Sequence, residues 1–313
     1  MKILVTGSKG VVGKILVEKL KKNNHDVIGC DLLHHPGQIG FTQNMSSELL
    51  EYVRCDVSFY RQIERIFSNY GPFDLVYNCA AEFGRWNGED FFEQLWRSNV
   101  VGLKNLLTLQ TQYKFKLVHF SSSEVYGDFK DLMKESVMED FEVKQLNDYA
   151  ISKWTNEMQI SNHEKIYNSE NVIVRLFNTY GPGETYHPYR SVNAKFCHHA
   201  INNLPITVYK GYFRSSTYIY DCVDAIVNIS KNFIPGRTYN ISSSNYHDVE
   251  TIAKIIWQYT GASENLINYK ETEVLTTVNK KSDNTLSVKE LGFKDTVSLE
   301  NGIKKTIEWM KKN

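Results

Sequence analysis

The sequence has few features that would serve a disulfide framework, a metal site or a membrane. Its five cysteines are odd in number, widely spaced and free of any Cys-x-x-Cys pair, a pattern typical of ordinary buried thiols. No apolar run approaches the length of a membrane span, and the run that opens the chain is far too short for a signal-peptide core. We therefore expect a cytoplasmic protein with no metal site and no membrane partner.

The chain also lacks an excess of charge of either sign. Thirty-six lysines and arginines balance 36 aspartates and glutamates, so no net field attracts a nucleic acid, although a local basic pocket can still exist. With 42% hydrophobic residues among 313, the chain can form one large core or two modest ones, which excludes disorder as a whole.

The first half of the chain alternates short β-branched runs with amphipathic segments, as a doubly wound parallel α/β sheet requires. Strands are predicted at 2–6, 26–31, 52–55, 75–78, 115–121 and 172–177, and helices at 10–22, 58–69, 90–112 and 147–167.

Three prolines between residues 182 and 205 break this alternation, and segment 239–242 reads as a strand that returns to the first sheet. We predict a cofactor-binding domain over residues 1–178, with a returning segment near 215–243, and a smaller C-terminal substrate-binding domain made of residues 179–214 and 244–313.

A glycine-rich turn follows the first predicted strand and opens a helix. Gly7 can supply the tight turn, Gly10 lets the backbone approach a pyrophosphate, and Gly13 lets helix and strand pack closely. The first backbone amides of the helix, which include those of Val11 and Val12, carry partial positive charge that suits phosphates. This context predicts a Rossmann-type dinucleotide-binding fold.

Asp31 ends the second predicted strand, about 20 residues past the glycines, where a carboxylate can accept hydrogen bonds from the adenosine ribose. A 2′-phosphate would meet this negative charge, and no arginine or lysine lies between residues 31 and 40 to receive it. The sequence therefore favours NAD as the cofactor. Asp56 and Val57, after the third strand, are candidates for the adenine end, with a helix cap as the alternative for Asp56.

Tyr149 and Lys153 are four residues apart on a predicted helix, so their side chains share one face. A free tyrosine has a pKa of about 10 and needs about 4 kcal/mol of differential stabilisation to act as a base near pH 7. Lys153 and the positive nicotinamide ring are the charges able to supply it. Alone, the pattern also fits a half-exposed tyrosine and a solvated lysine.

In order and spacing, the glycine-rich turn, the pair of Tyr149 and Lys153 and four further segments resemble the extended short-chain dehydrogenase/reductase family, in its NAD-dependent nucleotide-sugar epimerase/dehydratase branch. The likeness spans nearly the whole chain. The matching segments are Thr6-Gly7-x-x-Gly10-x-x-Gly13, Asn78-Cys79-Ala80-Ala81, Asn99-Val100-Val101-Gly102, Ser121-Ser122-Ser123-Glu124-Val125-Tyr126-Gly127, Tyr149-x-x-x-Lys153 and Arg175-Leu176-Phe177-Asn178-Thr179-Tyr180-Gly181-Pro182.

The resemblance implies an enzyme that uses NAD to oxidise C4 of a nucleotide-diphosphate hexose or heptose to a 4-keto sugar. It makes Tyr149 the base, Lys153 the group that holds the nicotinamide ribose, and Ser122 the hydroxyl partner of the reacting sugar oxygen. It assigns to the cofactor cleft a further set of residues: Cys79, Ala80, Ala81, Asn99 and Ser121.

The resemblance also implies a substrate-binding set. Asn178 would touch the substrate or its phosphates, and Arg214 matches the family's diphosphate arginine, although two aromatic residues stand where the family commonly has a glycine before it. Arg190 competes for the phosphate role, with surface exposure as the alternative for either arginine. Arg85 and Trp86 are candidates for the cleft wall, although such a pair also packs on surfaces.

Glu124 bears on which reaction follows the oxidation. If strand geometry continues, Ser122 and Glu124 face the same side, and the carboxylate can remove the proton next to the new ketone. The segment resembles the Thr-Ser-Glu of GDP-mannose 4,6-dehydratases and UDP-glucuronate decarboxylases. Ser123, also placed at the substrate, stands where dTDP-glucose dehydratases have aspartate, which leaves no obvious acid for a departing C6 hydroxyl. Dehydration, epimerisation, decarboxylation and ketone release stay open.

The predicted helices at 90–112 and 147–167 resemble those that pair in family dimers, which implies a homodimer. A non-enzymatic NAD-sensing protein is the alternative from another class, because a fold alone does not fix a function. Such a protein needs the glycines but not the trio of Ser122, Tyr149 and Lys153.

Overall fold

A computed structural model describes residues 1–33 and 51–313. The strands are β1 (Lys2–Thr6), β2 (Asp26–Asp31), β3 (Tyr52–Arg54), β4 (Leu75–Asn78), β5 (Lys116–Ser122), β6 (Asn171–Leu176), β7 (Thr179–Tyr180), β8 (Ile206–Tyr209), β9 (Phe213–Ser215), β10 (Thr217–Tyr218), β11 (Thr238–Ile241), β12 (Tyr246–Asp248), β13 (Ile267–Lys270) and β14 (Asn279–Lys280). The helices are α1 (Val11–Lys22), α2 (Tyr60–Tyr70), α3 (Arg85–Asp90), α4 (Phe92–Trp96), α5 (Gly102–Tyr113), α6 (Val137–Asp140), α7 (Asp148–Tyr167), α8 (Val192–Ile201), α9 (Ile219–Asn228), α10 (Val249–Thr260), α11 (Thr285–Leu291) and α12 (Leu299–Lys312).

Seven parallel strands form the central sheet, in the order β11-β6-β5-β4-β1-β2-β3. The order reverses between β1 and β4, so the loops after these strands diverge and leave a crevice at their carboxyl ends. The predicted Rossmann-type parallel α/β fold is confirmed. β11, which includes most of the segment expected to return to the sheet, pairs with β6.

The central strands are continuous apolar runs because helices cover both faces of the sheet. Ile3 and Val5 of β1 belong to a core shared with α1 and α9, whereas Leu4, between them, packs into a second core with α2 and α5. Alternate side chains of one strand therefore serve opposite layers. This packing fixes the strand ends that carry the candidate site.

A separate core lies in the part of the chain after β6. It joins Phe196 of α8, Trp257 of α10 and Ile303 of α12 over the short sheet formed by β8 and β13. β9 lies between β12 and β14 in a three-stranded sheet beside it. The domain boundaries derived from the sequence stay a prediction.

The helix predicted at 90–112 is interrupted. α4 ends at Trp96, a π-helical turn covers Arg97–Val101, and α5 follows from Gly102. The wider turn directs Asn99 inward, where its side chain accepts a hydrogen bond from the Glu82 amide at 2.8 Å and donates to the Ser152 hydroxyl at 3.0 Å. The interruption thus anchors the loop that follows β4.

All five cysteines are free thiols, four of them buried, as the sequence predicts. Within residues 1–33 and 51–313 no group of three metal-ligating side chains comes together, and no helix there is long and apolar enough to cross a membrane. Most of the segment between residues 31 and 40, noted above for its lack of arginine and lysine, lies outside the described residues.

Candidate active site

The glycine turn leaves space beside the start of α1. Gly7 has a φ of +67°, and a Cβ there would lie 2.7 Å from the backbone nitrogen of Ala80, while a Cβ at Gly13 would lie 2.1 Å from the Gly7 carbonyl oxygen. Gly10 caps α1 without a side chain, so no side-chain oxygen occupies the amides of Val11 and Val12. Free amides beside a turn that requires glycine at positions 7 and 13 fit the pyrophosphate of a dinucleotide.

Replacement of Gly13 by alanine is expected to weaken NAD binding by about ten- to a hundredfold, because relieving an overpacked contact shifts the turn at a cost of about 1–3 kcal/mol. Titration calorimetry with NAD measures this effect. The control is Gly261→Ala at the end of α10, where φ is +73° and the space is open, so alanine adds backbone strain without a clash. Equal NAD affinities in the two variants would contradict a role for the turn.

Asp31 lies at the end of β2, beside the glycine turn. One carboxylate oxygen accepts from the Lys9 amide at 2.9 Å and the other from the Leu33 amide at 3.3 Å, which orients the group at the mouth of the crevice. Asp56 accepts from the Ser58 amide at 2.9 Å in a local turn before α2 and does not cap that helix. The buried side chain of Val57 packs near Gly102.

The other residues assigned to the cofactor cleft fall into two groups: some are exposed at the cleft, and others support it from the protein interior. Cys79, Ala80 and Ala81 follow β4 and are partly exposed at its carboxyl end. Asn99 holds the loop behind them, as described above. The Ser121 hydroxyl is buried and donates to Glu157 at 2.5 Å, so its side chain faces the protein interior.

Ser122, Tyr149 and Lys153 come together at the carboxyl end of β5. α7 begins at Asp148, and its cap, Asn147, accepts from the Ala150 amide at 2.8 Å. The Tyr149 side chain forms a hydrogen bond with Ser122. The Lys153 ammonium is buried, donates to the Phe120 carbonyl at 2.8 Å and lies 5.8 Å from the centre of the Tyr149 ring.

The pKa of Tyr149 is raised to about 12, opposite to the lowering expected from Lys153. Burial is the main cause, Glu124 adds to it, and the hydrogen bond from Ser122 opposes it. Burial also lowers the pKa of Lys153 to about 8. In the chain alone, the Lys153 ammonium is directed at the Phe120 carbonyl and does not reach the phenol of Tyr149. The expected lowering of the Tyr149 pKa by Lys153 is therefore absent.

The expected continuation of strand geometry to Glu124 is wrong. β5 ends at Ser122, whose hydroxyl accepts from the Glu124 amide at 3.2 Å and starts a 3₁₀ turn over Ser123–Tyr126. A serine that caps a turn competes with the strand ladder for the backbone, which explains the change. The turn nevertheless directs Glu124 into the same pocket as Ser122 and Tyr149.

Glu124 is ionised by its neighbours. One carboxylate oxygen accepts from the ammonium of Lys280, and the other is buried without a hydrogen-bond partner among the described residues. Burial would raise the pKa of Glu124, but Lys280, Arg85 and Arg214 outweigh it and lower the value below the ordinary one. Lys280 was not predicted, because a lysine in a two-residue strand belongs to no motif that signals a site.

These groups line one pocket of about 640 Å³ between the sheet and the later part of the chain. Lys280, which the sequence did not assign, lines this pocket. So do these residues assigned to catalysis or substrate: Arg85, Ser122, Ser123, Glu124, Tyr149, Asn178, Arg190 and Arg214. Trp86 also contributes to the wall, with its side chain partly exposed.

The pocket arginines have different partners. Arg214, in β9, is buried and donates to the carbonyls of Phe213 at 2.7 Å and Val278 at 2.9 Å, which are neutral groups. Arg190 stacks 4.0 Å over the Phe83 ring, and its Nε is buried without a partner in the described part of the chain. These two guanidinium groups keep charge available for an anion. Arg85, in contrast, forms an ion pair with Glu273 at 3.0 Å.

Asn178 is held at the pocket wall by its backbone. Its φ is +35°, and its side-chain nitrogen lies 3.5 Å from the Ser215 carbonyl, a long contact. The residue follows β6, so it is placed at the carboxyl edge of the sheet with the other candidates.

Comparison with known proteins places this geometry in a family. Residues 3–242 match the NAD dependent epimerase/dehydratase family. A dTDP-glucose 4,6-dehydratase of Salmonella typhimurium is 26% identical, over 99% of this chain and 92% of that protein. A UDP-N-acetyl-alpha-D-glucosaminuronate decarboxylase of Bacillus cytotoxicus is also 26% identical, over 98% of this chain and 97% of that protein.

A solved structure gives the same result. The UDP-glucose 4-epimerase of Thermotoga maritima, crystallised with UDP-glucose, superimposes with a TM-score of 0.85 at 26% identity, over 100% of this chain and 99% of that one. The predicted resemblance, the NAD cofactor and the enzymatic class are confirmed, and the chain belongs to the NAD dependent epimerase/dehydratase family.

Proposed function

We propose that the chain oxidises C4 of a nucleotide-diphosphate sugar to a 4-keto sugar, which serves as intermediate or product. The observation that supports this most strongly is the convergence of Ser122, Tyr149 and Lys153 at the carboxyl end of β5, where Ser122 and Tyr149 line a pocket that also contains Arg190 and Arg214. In open α/β sheets, ligands bind at these strand ends.

The glycine turn and Asp31 would hold NAD, with the phosphates at the start of α1 and the adenosine ribose at Asp31. Cys79, Ala80 and Ala81 would line the cleft beneath it, with Asp56 and Val57 toward the adenine. Bound NAD supplies the hydride acceptor and a positively charged ring.

Tyr149 would take the proton of the C4 hydroxyl, and Ser122 would orient that oxygen through the hydrogen bond it shares with Tyr149. Because burial raises the pKa of Tyr149 to about 12, the phenol needs positive charge nearby before it can act. Lys153 would provide part of this charge by turning from the Phe120 carbonyl toward the ribose.

Arg214 would bind the diphosphate, with Arg190 and Asn178 beside it. Its replacement by methionine is expected to weaken UDP binding by about ten- to a hundredfold, since a hydrogen bond to a charged group contributes about 1.5–3 kcal/mol. Calorimetric titration with UDP measures the effect. Arg237→Met removes an arginine paired with Glu290 outside this pocket and should leave UDP affinity unchanged; a loss of equal size there would contradict the assignment.

Incubation with UDP-glucose, UDP-glucuronic acid, dTDP-glucose and GDP-mannose, followed by mass spectrometry, tests the function. Loss of two hydrogens, loss of water, loss of carbon dioxide and an unchanged mass with inverted C4 correspond to ketone release, dehydration, decarboxylation and epimerisation. If none of these nucleotide sugars binds or changes the nicotinamide absorbance, the proposed function is wrong.

We also propose a homodimer in the cytoplasm. Apolar side chains on α4, α7 and the π-helical turn are exposed in the single chain, among them Phe92, Val101, Ile151 and Met158. Burial of this surface between two copies would remove it from water. Dimerisation and location stay predictions.

A further inference from the structure

Lys280 is a buried lysine that belongs to no recognisable sequence motif. β14 pairs with β9 in parallel, and the register places Lys280 directly beside Arg214. Side chains at paired positions project from the same face of a sheet, so both cations enter the pocket, where like charges repel. The lysine side chain is 2% exposed.

Glu124 partly offsets this repulsion through its ion pair with Lys280. A buried ion pair is weak evidence for stability, because desolvation offsets the attraction. This one lies in a pocket with Tyr149, and its second carboxylate oxygen is buried without a partner among the described residues. A donor and a free acceptor thus lie side by side where the sugar is expected.

Elimination of water next to a ketone needs such a pair. A base must remove the C5 proton while an acid protonates the oxygen that leaves C6. Ser123, in the position where an aspartate would serve as this acid, carries only a neutral hydroxyl. The guanidinium groups of Arg85 and Arg214 do not release protons in proteins.

Resting on the proposed C4 oxidation, we propose that Lys280 is the acid that protonates the departing C6 oxygen, with Glu124 as the base at C5, so that the substrate is a nucleotide-diphosphate hexose with a free C6 hydroxyl. Glu124 takes the C5 proton, and the C5–H electron pair forms the C5–C6 double bond. The C6–O bond breaks, and a proton from Lys280 Nζ completes the water molecule.

The hydrogen bond between the two side chains lets the pair reset. After the elimination, Glu124 is neutral and Lys280 is an amine, and transfer of one proton between them restores both charges. The hydride taken from C4 then returns to C6 while Lys280 protonates C5, and the proton that Tyr149 took from the C4 hydroxyl restores the Lys280 ammonium, so the sugar loses one water overall. No further reactant is required.

The surroundings of Lys280 suit this role. Burial lowers the pKa of Lys280 to about 8, although Glu124 raises it, and Arg214 and Arg85 add to the lowering. An acid is most effective when its pKa lies near the working pH.

The test compares Lys280→Met, Lys280→Arg and the control Lys281→Met, which changes the exposed neighbouring lysine. Each is given the nucleotide hexose that the wild type converts. We expect Lys280→Met to produce reduced nicotinamide but to lose water about 10²–10⁴-fold more slowly. Lys280→Arg should be equally slow because it keeps the charge without a transferable proton, and Lys281→Met should match the wild type.

A substrate with fluorine in place of the C6 hydroxyl separates an acid from a structural group. Fluoride leaves without protonation, so fluorine NMR should show Lys280→Met releasing fluoride at about the wild-type rate, whereas Glu124→Gln should not. Calorimetric titration with UDP checks that each variant retains its pocket.

Three results would overturn the proposal: water loss by Lys280→Met at the wild-type rate, fluoride release as slow as water loss, or a wild-type product that has lost no water. The last leaves the C4 oxidation intact if reduced nicotinamide or a 4-keto sugar forms. Absence of any reaction in the wild type means that the proposed function itself has failed.

Discussion

Tyr149→Phe is expected to lower turnover by about 10²–10⁴-fold, the usual contribution of a positioned base, while NAD affinity stays unchanged. The substitution removes one oxygen from a side chain that lines the pocket and hydrogen-bonds Ser122, and it leaves the ring in place. Steady-state rates and calorimetric titration with NAD provide the two measurements.

Tyr167→Phe is the matched control for this loss. Tyr167 ends the same helix, α7, with 48% of its surface exposed and far along the helix from the pocket. It should turn over like the wild type. Full activity in Tyr149→Phe, or equal losses in both variants, would refute Tyr149 as the base.

Glu157→Leu is expected to lower the free energy of unfolding by about 3–5 kcal/mol, because it leaves a buried charge uncompensated. Glu157 receives two hydrogen bonds from Arg175, at 3.1 and 2.7 Å, and one from Ser121 at 2.5 Å. Arg175 is 3% exposed and cannot lose its proton. Urea unfolding followed by circular dichroism measures the change.

Glu18→Gln is the control, because it breaks an ion pair between a carboxylate and a cation that lies at the surface. Glu18 and Lys22 are one helical turn apart, with most of both side chains in water, and such pairs contribute little. A small effect for Glu157→Leu, similar to that for Glu18→Gln, would show that the buried pair is already offset by its desolvation.

The parts of the fold and site that could be predicted are those with a local signal. Apolar runs indicated the central strands, and glycine spacing after β1 located the turn that approaches Ala80. Helical spacing identified Tyr149 and Lys153. The expected lowering of the Tyr149 pKa by Lys153 did not hold, because it depends on which group the lysine ammonium reaches.

Long-range register was beyond the sequence. Lys280 reaches Glu124 across 156 positions only because β14 pairs with β9, and a two-residue strand has no periodicity to detect. The turn at Ser122 and the π-helical interruption that contains Asn99 were missed for a related reason: hydrogen bonds made after folding outweighed strand and helix propensity.

The position of β11 in the sheet affects how the protein is made. Residues 238–241 supply the outermost strand beside β6. During synthesis, most residues that line the substrate pocket are therefore made before this strand is available to pair with β6. Until then the apolar β6 presents unpaired backbone groups, a template for aggregation. A truncated chain ending near residue 178 is therefore expected to aggregate more readily than the full chain.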